Sequence, residues 1–89
     1  MSKTIRRLRL PERRVGQSAV VAHPATGAPI VLNETTTVLW GLIDSWCAAA
    51  DLPARMKSVY PEVDDPTIAV GVAEAVALLE EADLIEHAR

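Results

Sequence analysis

Apolar residues follow two different periods along the chain. Residues 5–10 alternate imperfectly between apolar and basic side chains, which predicts a strand with one face in water. Residues 19–22 and 28–32 are short apolar runs of strand length, and Pro24 and Gly27 between them suit a tight turn. The pattern therefore predicts a three-stranded antiparallel meander in which the third strand has one open edge.

Beyond Asn33 the apolar positions recur at helical spacing. Asn33 is a favourable N-cap for a first helix over residues 34–49. A short second helix is predicted over residues 53–60, and a third begins at Pro66 after a cap at Asp65 and ends near residue 82. Three strands followed by three helices predict an α+β fold, arranged like a winged helix-turn-helix.

The third predicted helix has small or apolar residues on both sides of the line that should face the core. One flank carries Gly71, Ala75 and Leu78, and the other carries alanines at positions 69, 73 and 77. A helix that covers a core on one side normally has polar residues there, so this helix borders either a partner or a groove. The alternative is an alanine-rich helix selected for helix propensity. Periodicity does not decide which flank would line a groove.

The predicted core combines the first and third helices. Its members are Leu39, Trp40, Leu42, Ile43, Val72 and Leu79, and Trp46 is predicted to be a second large anchor. The 89 residues are enough for one domain, residues 1–89, with a modest and mainly aliphatic core, because the chain has no Phe.

Charge is distributed unevenly although the net charge is only −3. Six of the nine basic residues lie within the first 14 positions, and acidic residues dominate beyond residue 62. This asymmetry either steers a partner electrostatically or marks a solvated strand face. The single cysteine, Cys47, allows no intramolecular disulfide. No apolar run approaches the roughly 18 residues of a membrane span, which predicts a cytoplasmic protein.

The segment Leu32-Asn33-Glu34-Thr35, followed by Trp40 and Leu42-Ile43-Asp44, resembles the PqqD-like recognition elements of ribosomally synthesised and post-translationally modified peptides (RiPPs). The resemblance continues with lower specificity through Val59-Tyr60-Pro61 and residues 72–85. It implies a stand-alone, non-catalytic adaptor, as in PQQ or lasso peptide biosynthesis. Such an adaptor binds the leader region of a precursor peptide by strand addition and delivers it to a separate modifying enzyme or leader peptidase.

The resemblance also implies a location for the peptide, between the third strand and the third helix. Carried over to this sequence, the peptide-binding residues are Ala28, Ile30, Val31 and Leu32 on the strand and Ile68, Gly71, Val72, Ala75 and Leu78 on the helix.

Three residues depart from the family pattern. Pro29 lies in the edge strand and cannot donate a hydrogen bond. Gly71 stands where family members often carry an acidic residue. Asp83 replaces a frequent glycine at the end of the third helix, where it must adopt a left-handed conformation.

Other classes of function have less support in the sequence. The two histidines are far apart, and no nucleophile elbow or phosphate loop is present, so we expect no enzyme, no metal site and no cofactor. DNA binding is an alternative for such a fold, but the third helix has three glutamates and no Lys or Arg, so no nucleic-acid partner is expected. A structural domain that uses the open edge for homodimerisation or docking is a second alternative.

Overall fold

A three-stranded antiparallel sheet, which we call the hairpin sheet, forms one layer of the fold. The computed structural model describes residues 4–43 and 45–88, so Lys3 of the basic segment and Asp44 of the first predicted helix lie outside the described residues. The sheet contains strands β2 (Glu12–Val15), β3 (Ser18–Ala22) and β4 (Pro29–Leu32), with β3 in the centre.

Glycines make both turns of the hairpin sheet. Gly16 lies between β2 and β3 with φ of 61°, and Gly27 lies between β3 and β4 with φ of 74°. These left-handed values favour glycine because it has no Cβ. The predicted turn at Gly27 and the antiparallel pairing of the two apolar strands are therefore confirmed.

The first predicted strand belongs to a different sheet. Strand β1 (Thr4–Arg7) pairs antiparallel with β5 (Cys47–Ala48) on one side and with β6 (Ile85–His87) on the other. The α+β class, with a three-stranded antiparallel sheet and three helices, is confirmed. The sequence identified the wrong first strand, because β2 is exposed at all four positions and shows no apolar alternation.

Helix α1 (Glu34–Leu42) begins at the predicted residue. The Asn33 side chain accepts a hydrogen bond from the Thr36 N–H at 2.8 Å, which confirms the predicted N-cap. Glu34 in the first turn complements the positive end of the helix dipole. The strand β4 therefore leads directly into the helix through Asn33.

The hydroxyl of Thr37 ties α1 to the hairpin sheet. It accepts a hydrogen bond from the Ala19 N–H at 3.1 Å and donates one to the Leu32 carbonyl at 3.2 Å. Ala19 and Leu32 are opposite each other in the β3–β4 register. The buried hydroxyl thus bridges the two strands at the point where β4 turns into the helix.

Helix α1 ends at Leu42, well before the predicted end at residue 49. The following segment pairs as β5 with β1, and buried Cys47 lies opposite Ile5. Trp46 therefore lies outside the helix and is 43% exposed, so its predicted role as an interior anchor is wrong. Trp40, 1% exposed, is the large aromatic residue of the core.

Two further helices complete the fold. A single 3₁₀ turn (Ala49–Asp51) precedes α2 (Leu52–Val59), and α3 (Asp65–Glu81) follows. The buried line of α3 consists of Ile68, Val72, Ala75 and Leu79. Ala75 was predicted on a flank, but it packs in the core because the buried line is rotated away from half-buried Val76. None of the described helices is long and apolar enough to cross a membrane.

Helix α3 ends in a Schellman motif. Asp83 has φ of 59°, which confirms the left-handed conformation expected at this position. The Leu84 N–H donates to the Leu79 carbonyl at 2.9 Å, and the Asp83 N–H donates to the Glu80 carbonyl at 3.1 Å. The reversal directs buried Leu84 back into the core and leads the chain into β6.

Candidate functional site

The outer edge of β4 has no partner strand in the described part of the chain. β4 pairs with β3 on one side only, and the C-terminal strand β6 pairs with β1 instead. Unpaired main-chain groups along such an edge can form hydrogen bonds with another extended chain.

The register of β4 determines which of its main-chain groups face that open edge. In an antiparallel pair, alternate residues direct both their N–H and C=O toward the partner strand. The His23 N–H donates to the Ala28 carbonyl at 2.8 Å, and the same register pairs Val21 with Ile30. Ala28, Ile30 and Leu32 therefore face β3, whereas Val31 directs its N–H and C=O toward the open edge.

Pro29 also faces the open edge. Its missing N–H consequently breaks no hydrogen bond inside the hairpin sheet, which explains how a proline is tolerated in β4. Its carbonyl remains available as an acceptor. Within Pro29–Leu32, Val31 is therefore the residue that offers both a donor and an acceptor to an incoming strand.

Helix α3 lies alongside β4 and runs in the opposite direction. At one end, Gly71 lines a shared cavity with Glu34, the residue that begins α1 after β4. At the other end, the His23 Nε2 atom is 3.9 Å from the Asp83 carboxylate. The segment from Gly71 to Asp83 and the segment from Ala28 to Glu34 have similar lengths, because 12 residues of helix cover about 18 Å and six residues of strand cover about 20 Å.

These contacts decide which flank of α3 faces the strand. Gly71 and Leu78 lie on the β4 side of α3, while Ala73 and Ala77 line a separate depression with Ala49 and Pro53. We define the β4–α3 groove as the space between Pro29–Leu32 and the Gly71 flank.

A cavity of about 300 Å³ lies at one end of this groove. Apolar side chains from α2, α3 and the connection between them form most of its wall, and Glu34, Thr35 and Thr67 contribute polar groups. A Cβ added to Gly71 would meet no atom within 4 Å, so this part of the helix surface is open. The apolar lining residues are Met56, Tyr60, Val63, Ile68 and Val72.

The nine predicted peptide-binding residues have different exposures in the structure. Val31 is 69% exposed and Leu78 is 36% exposed, so both side chains are accessible. Ala28 is exposed beside the turn, and Ile30 and Gly71 are half-buried. The other four are buried core residues: Leu32, Ile68, Val72 and Ala75. Leu32 also directs its main-chain groups toward β3, away from the open edge.

Sequence reasoning missed several residues of the cavity. Thr67 gave no signal, since it occurs in a helical segment with no distinctive spacing, and Thr35 belongs to the segment that resembles the family but was not assigned to the site. Met56 and Tyr60 lie in the predicted second helix but were not among the predicted site residues.

An acid-sensitive contact lies at the start of α3. The Thr67 hydroxyl contacts the Asp64 carboxylate at 2.6 Å. This hydrogen bond lowers the pKa of Asp64 below its ordinary value, because it stabilises the charged carboxylate. Asp64 is the N-cap residue, one position before the predicted cap at Asp65.

The described residues contain no group of three His, Cys, Asp or Glu side chains that could hold a metal ion. His23 instead organises the turn before β4, since its Nδ1 atom accepts a hydrogen bond from the Ala25 N–H at 3.0 Å.

The fold and the groove together define a small α+β domain with an unpaired strand edge beside an apolar helix flank. The family model described as Coenzyme PQQ synthesis protein D (PqqD) matches residues 18–85, which include all three helices and the hairpin of β3 and β4. The chain therefore belongs to the PqqD family, whose members are peptide-binding accessory proteins of PQQ-type biosynthesis. Searches of the curated proteins and of the solved structures find no match to this chain.

Proposed function

We propose that this protein is a stand-alone RiPP recognition element, a non-catalytic adaptor for a precursor peptide. It captures the leader region as an added strand on β4 and delivers it to a separate modifying enzyme or leader peptidase. The observation that supports this most directly is the open edge at Val31 next to the apolar flank of α3. Membership of the PqqD family supports the same function.

An added strand would form hydrogen bonds with the Val31 N–H, the Val31 carbonyl and the Pro29 carbonyl. These three bonds contribute about 0.5 to 1.5 kcal/mol each, and two apolar side chains in the groove contribute about 1.5 to 3 kcal/mol each. Ordering a flexible peptide costs about 2 to 5 kcal/mol. The balance corresponds to a dissociation constant that is micromolar at the tight end, which suits an adaptor that must release its cargo.

The two flanks of α3 allow a matched test of this function. Leu78→Glu places a charge on the groove flank, and Ala77→Glu places the same charge on the opposite flank, where the native residue is also exposed. Both variants should fold, since neither native side chain is in the core. Fluorescence polarisation of a labelled leader peptide of the cognate precursor measures binding.

We expect Leu78→Glu to weaken leader binding by about tenfold, the loss of one apolar anchor, and Ala77→Glu to bind as the wild type does. Equal affinities for the wild type and Leu78→Glu would contradict the assigned flank. Leu32→Glu is unsuitable for this comparison, because a charge at a fully buried position destabilises the whole domain.

A further inference from the structure

An exposed tryptophan lies among arginines on the surface formed by β1 and the residues that follow it. Trp46 is 43% exposed, and the Arg6 guanidinium lies 4.7 Å from the centroid of its ring. A surface cavity of about 420 Å³ is lined by Arg6, Leu8, Arg9 and Trp46 together with neighbouring residues. We call these four residues the Trp46 surface.

The composition of the Trp46 surface matches that of protein interfaces. Tryptophan and arginine are the residue types most enriched among the side chains that dominate binding energy at such interfaces. The chain has only two tryptophans and no Phe, yet one tryptophan is 43% exposed. A stacked arginine holds the indole in place, so little side-chain entropy remains to be lost on binding.

The charges of the Trp46 surface favour an acidic protein partner over nucleic acid. Arg9 is exposed and forms no ion pair with any described residue, so it can pair with a carboxylate of a partner. Arg6, however, is already paired with Glu86, which also lines the cavity. A carboxylate within the surface would repel a continuous row of phosphates, whereas a protein partner can place its own charges around it.

The Trp46 surface adjoins the β2 edge of the hairpin sheet, whereas the β4–α3 groove lies at the opposite edge. Arg7 of β1 approaches Glu12 of β2 at 3.7 Å, so the Trp46 surface adjoins the β2 edge of the hairpin sheet. The groove lies at the β4 edge, and two strand spacings of about 4.8 Å separate β2 from β4. A leader on β4 therefore leaves the Trp46 surface accessible.

We propose that the Trp46 surface is the docking site for the enzyme that receives the leader, and that the enzyme binds it through an apolar pocket rimmed by Asp or Glu side chains. This inference rests on the proposed adaptor function, which requires a second surface for the enzyme. Trp46 enters the pocket, and Arg9 pairs with the acidic rim. The adaptor, the leader and the enzyme then form a ternary complex.

Two substitutions on the Trp46 surface test the inference with the full chain. Biolayer interferometry measures binding of the purified modifying enzyme or leader peptidase that processes the same precursor to the adaptor saturated with leader peptide. Trp46→Ala should raise the dissociation constant of the enzyme by at least about tenfold. Arg9→Glu should slow association and reduce its dependence on salt. Both variants should bind the leader as the wild type does.

Val70→Ala is the matched control, because Val70 is 58% exposed on α3, away from the Trp46 surface. It should leave enzyme binding unchanged. Wild-type affinity for the enzyme in folded Trp46→Ala and Arg9→Glu would overturn the inference, as would the absence of any enzyme binding to the leader-loaded wild type. If Trp46→Ala fails to fold by circular dichroism, the exposed Arg9 variant decides.

The same variants distinguish an enzyme-docking surface from a nucleic-acid site. Binding of a short duplex DNA that Arg9→Glu abolishes, with enzyme binding intact, would identify a nucleic-acid site and overturn the inference. Failure of the leader to bind the wild type would instead refute the proposed adaptor function. The leader titration measures this binding without the enzyme, so the two failures can be distinguished.

Discussion

Replacing Val31 by proline should remove the donor that an added strand needs while leaving the sheet intact. The Val31 N–H faces the open edge, so its loss breaks no bond between β3 and β4. The side chain is 69% exposed and lies on the face of the sheet away from the core, so its replacement creates no cavity. The substitution therefore acts on the edge alone.

The expected loss of affinity follows from one main-chain hydrogen bond. Such a bond contributes about 0.5 to 1.5 kcal/mol net, which corresponds to an increase of about two- to tenfold in the dissociation constant of the leader. The proline ring also approaches the incoming strand, so the measured loss should fall at or above the upper value. Thermal unfolding should differ little from that of the wild type.

Two variants at neighbouring positions make the assay specific. Val31→Ala keeps the N–H and should retain nearly full leader affinity in a fluorescence polarisation titration. Ile30→Pro removes an N–H that faces β3 and leaves a strand carbonyl without its donor, which costs about 1 to 3 kcal/mol of stability. A folded Val31→Pro protein that binds the leader as tightly as Val31→Ala does would refute the role of this N–H.

Three further predictions concern stability and the helix side of the groove. Thr37→Val keeps the shape of the side chain but leaves the buried Ala19 N–H and the buried Leu32 carbonyl without the hydroxyl. Urea denaturation should therefore show a loss of about 1 to 3 kcal/mol in the free energy of unfolding. A loss below a few tenths of a kcal/mol would contradict the bridging role of Thr37. Gly71→Ala should raise the free energy of unfolding by about 0.5 to 1 kcal/mol, because helix propensity increases and the added Cβ meets open space. The same variant should bind the leader more weakly if the peptide passes over Gly71. Unchanged leader binding would exclude that path for the peptide. The hydrogen bond from Thr67 lowers the pKa of Asp64 in the folded state, so this hydrogen bond contributes to stability above the unfolded-state pKa, and the contribution is lost as the pH falls through the folded-state pKa. Thr67→Val should reduce that loss of stability in an acid titration followed by circular dichroism. Identical titrations of the variant and the wild type would show that the hydrogen bond has no such effect.

Local signals in the sequence were sufficient for the central part of the fold. Gly27, the Asn33 cap and the apolar run before it predicted the hairpin and the start of α1, because each depends on residues that are close in the chain. The short α2 and the long α3 were predicted for the same reason. Pro66 lies in the first turn of α3, and Asp83 has the expected left-handed conformation after its end.

Long-range pairing explains what the sequence did not predict. β1 pairs with β5 near the middle of the chain and with β6 near its end, and no local period carries that information. The same pairing ends α1 early and places Trp46 at the surface rather than in the core. Helical periodicity also placed the buried line of α3 slightly wrongly, because the packing of α1 and α2 determines which side of α3 faces inward.

The candidate site was predictable in outline but not in detail. The resemblance to recognition elements indicated the strand and the helix, and periodicity showed that both flanks of the helix are apolar. The sequence did not predict three details: which flank of α3 faces β4, the direction of the Val31 N–H and the cavity beside Gly71. These details depend on strand register and on contacts between distant segments.

The most direct test of strand addition is amide hydrogen exchange at Val31 and Ile30, measured by NMR with and without saturating leader peptide. We predict that the Val31 amide exchanges at least about tenfold more slowly in the complex, because it becomes hydrogen-bonded to the leader. The Ile30 amide, already bonded to β3, should be protected in both states. Unchanged exchange at Val31 in a saturated complex would contradict strand addition at β4.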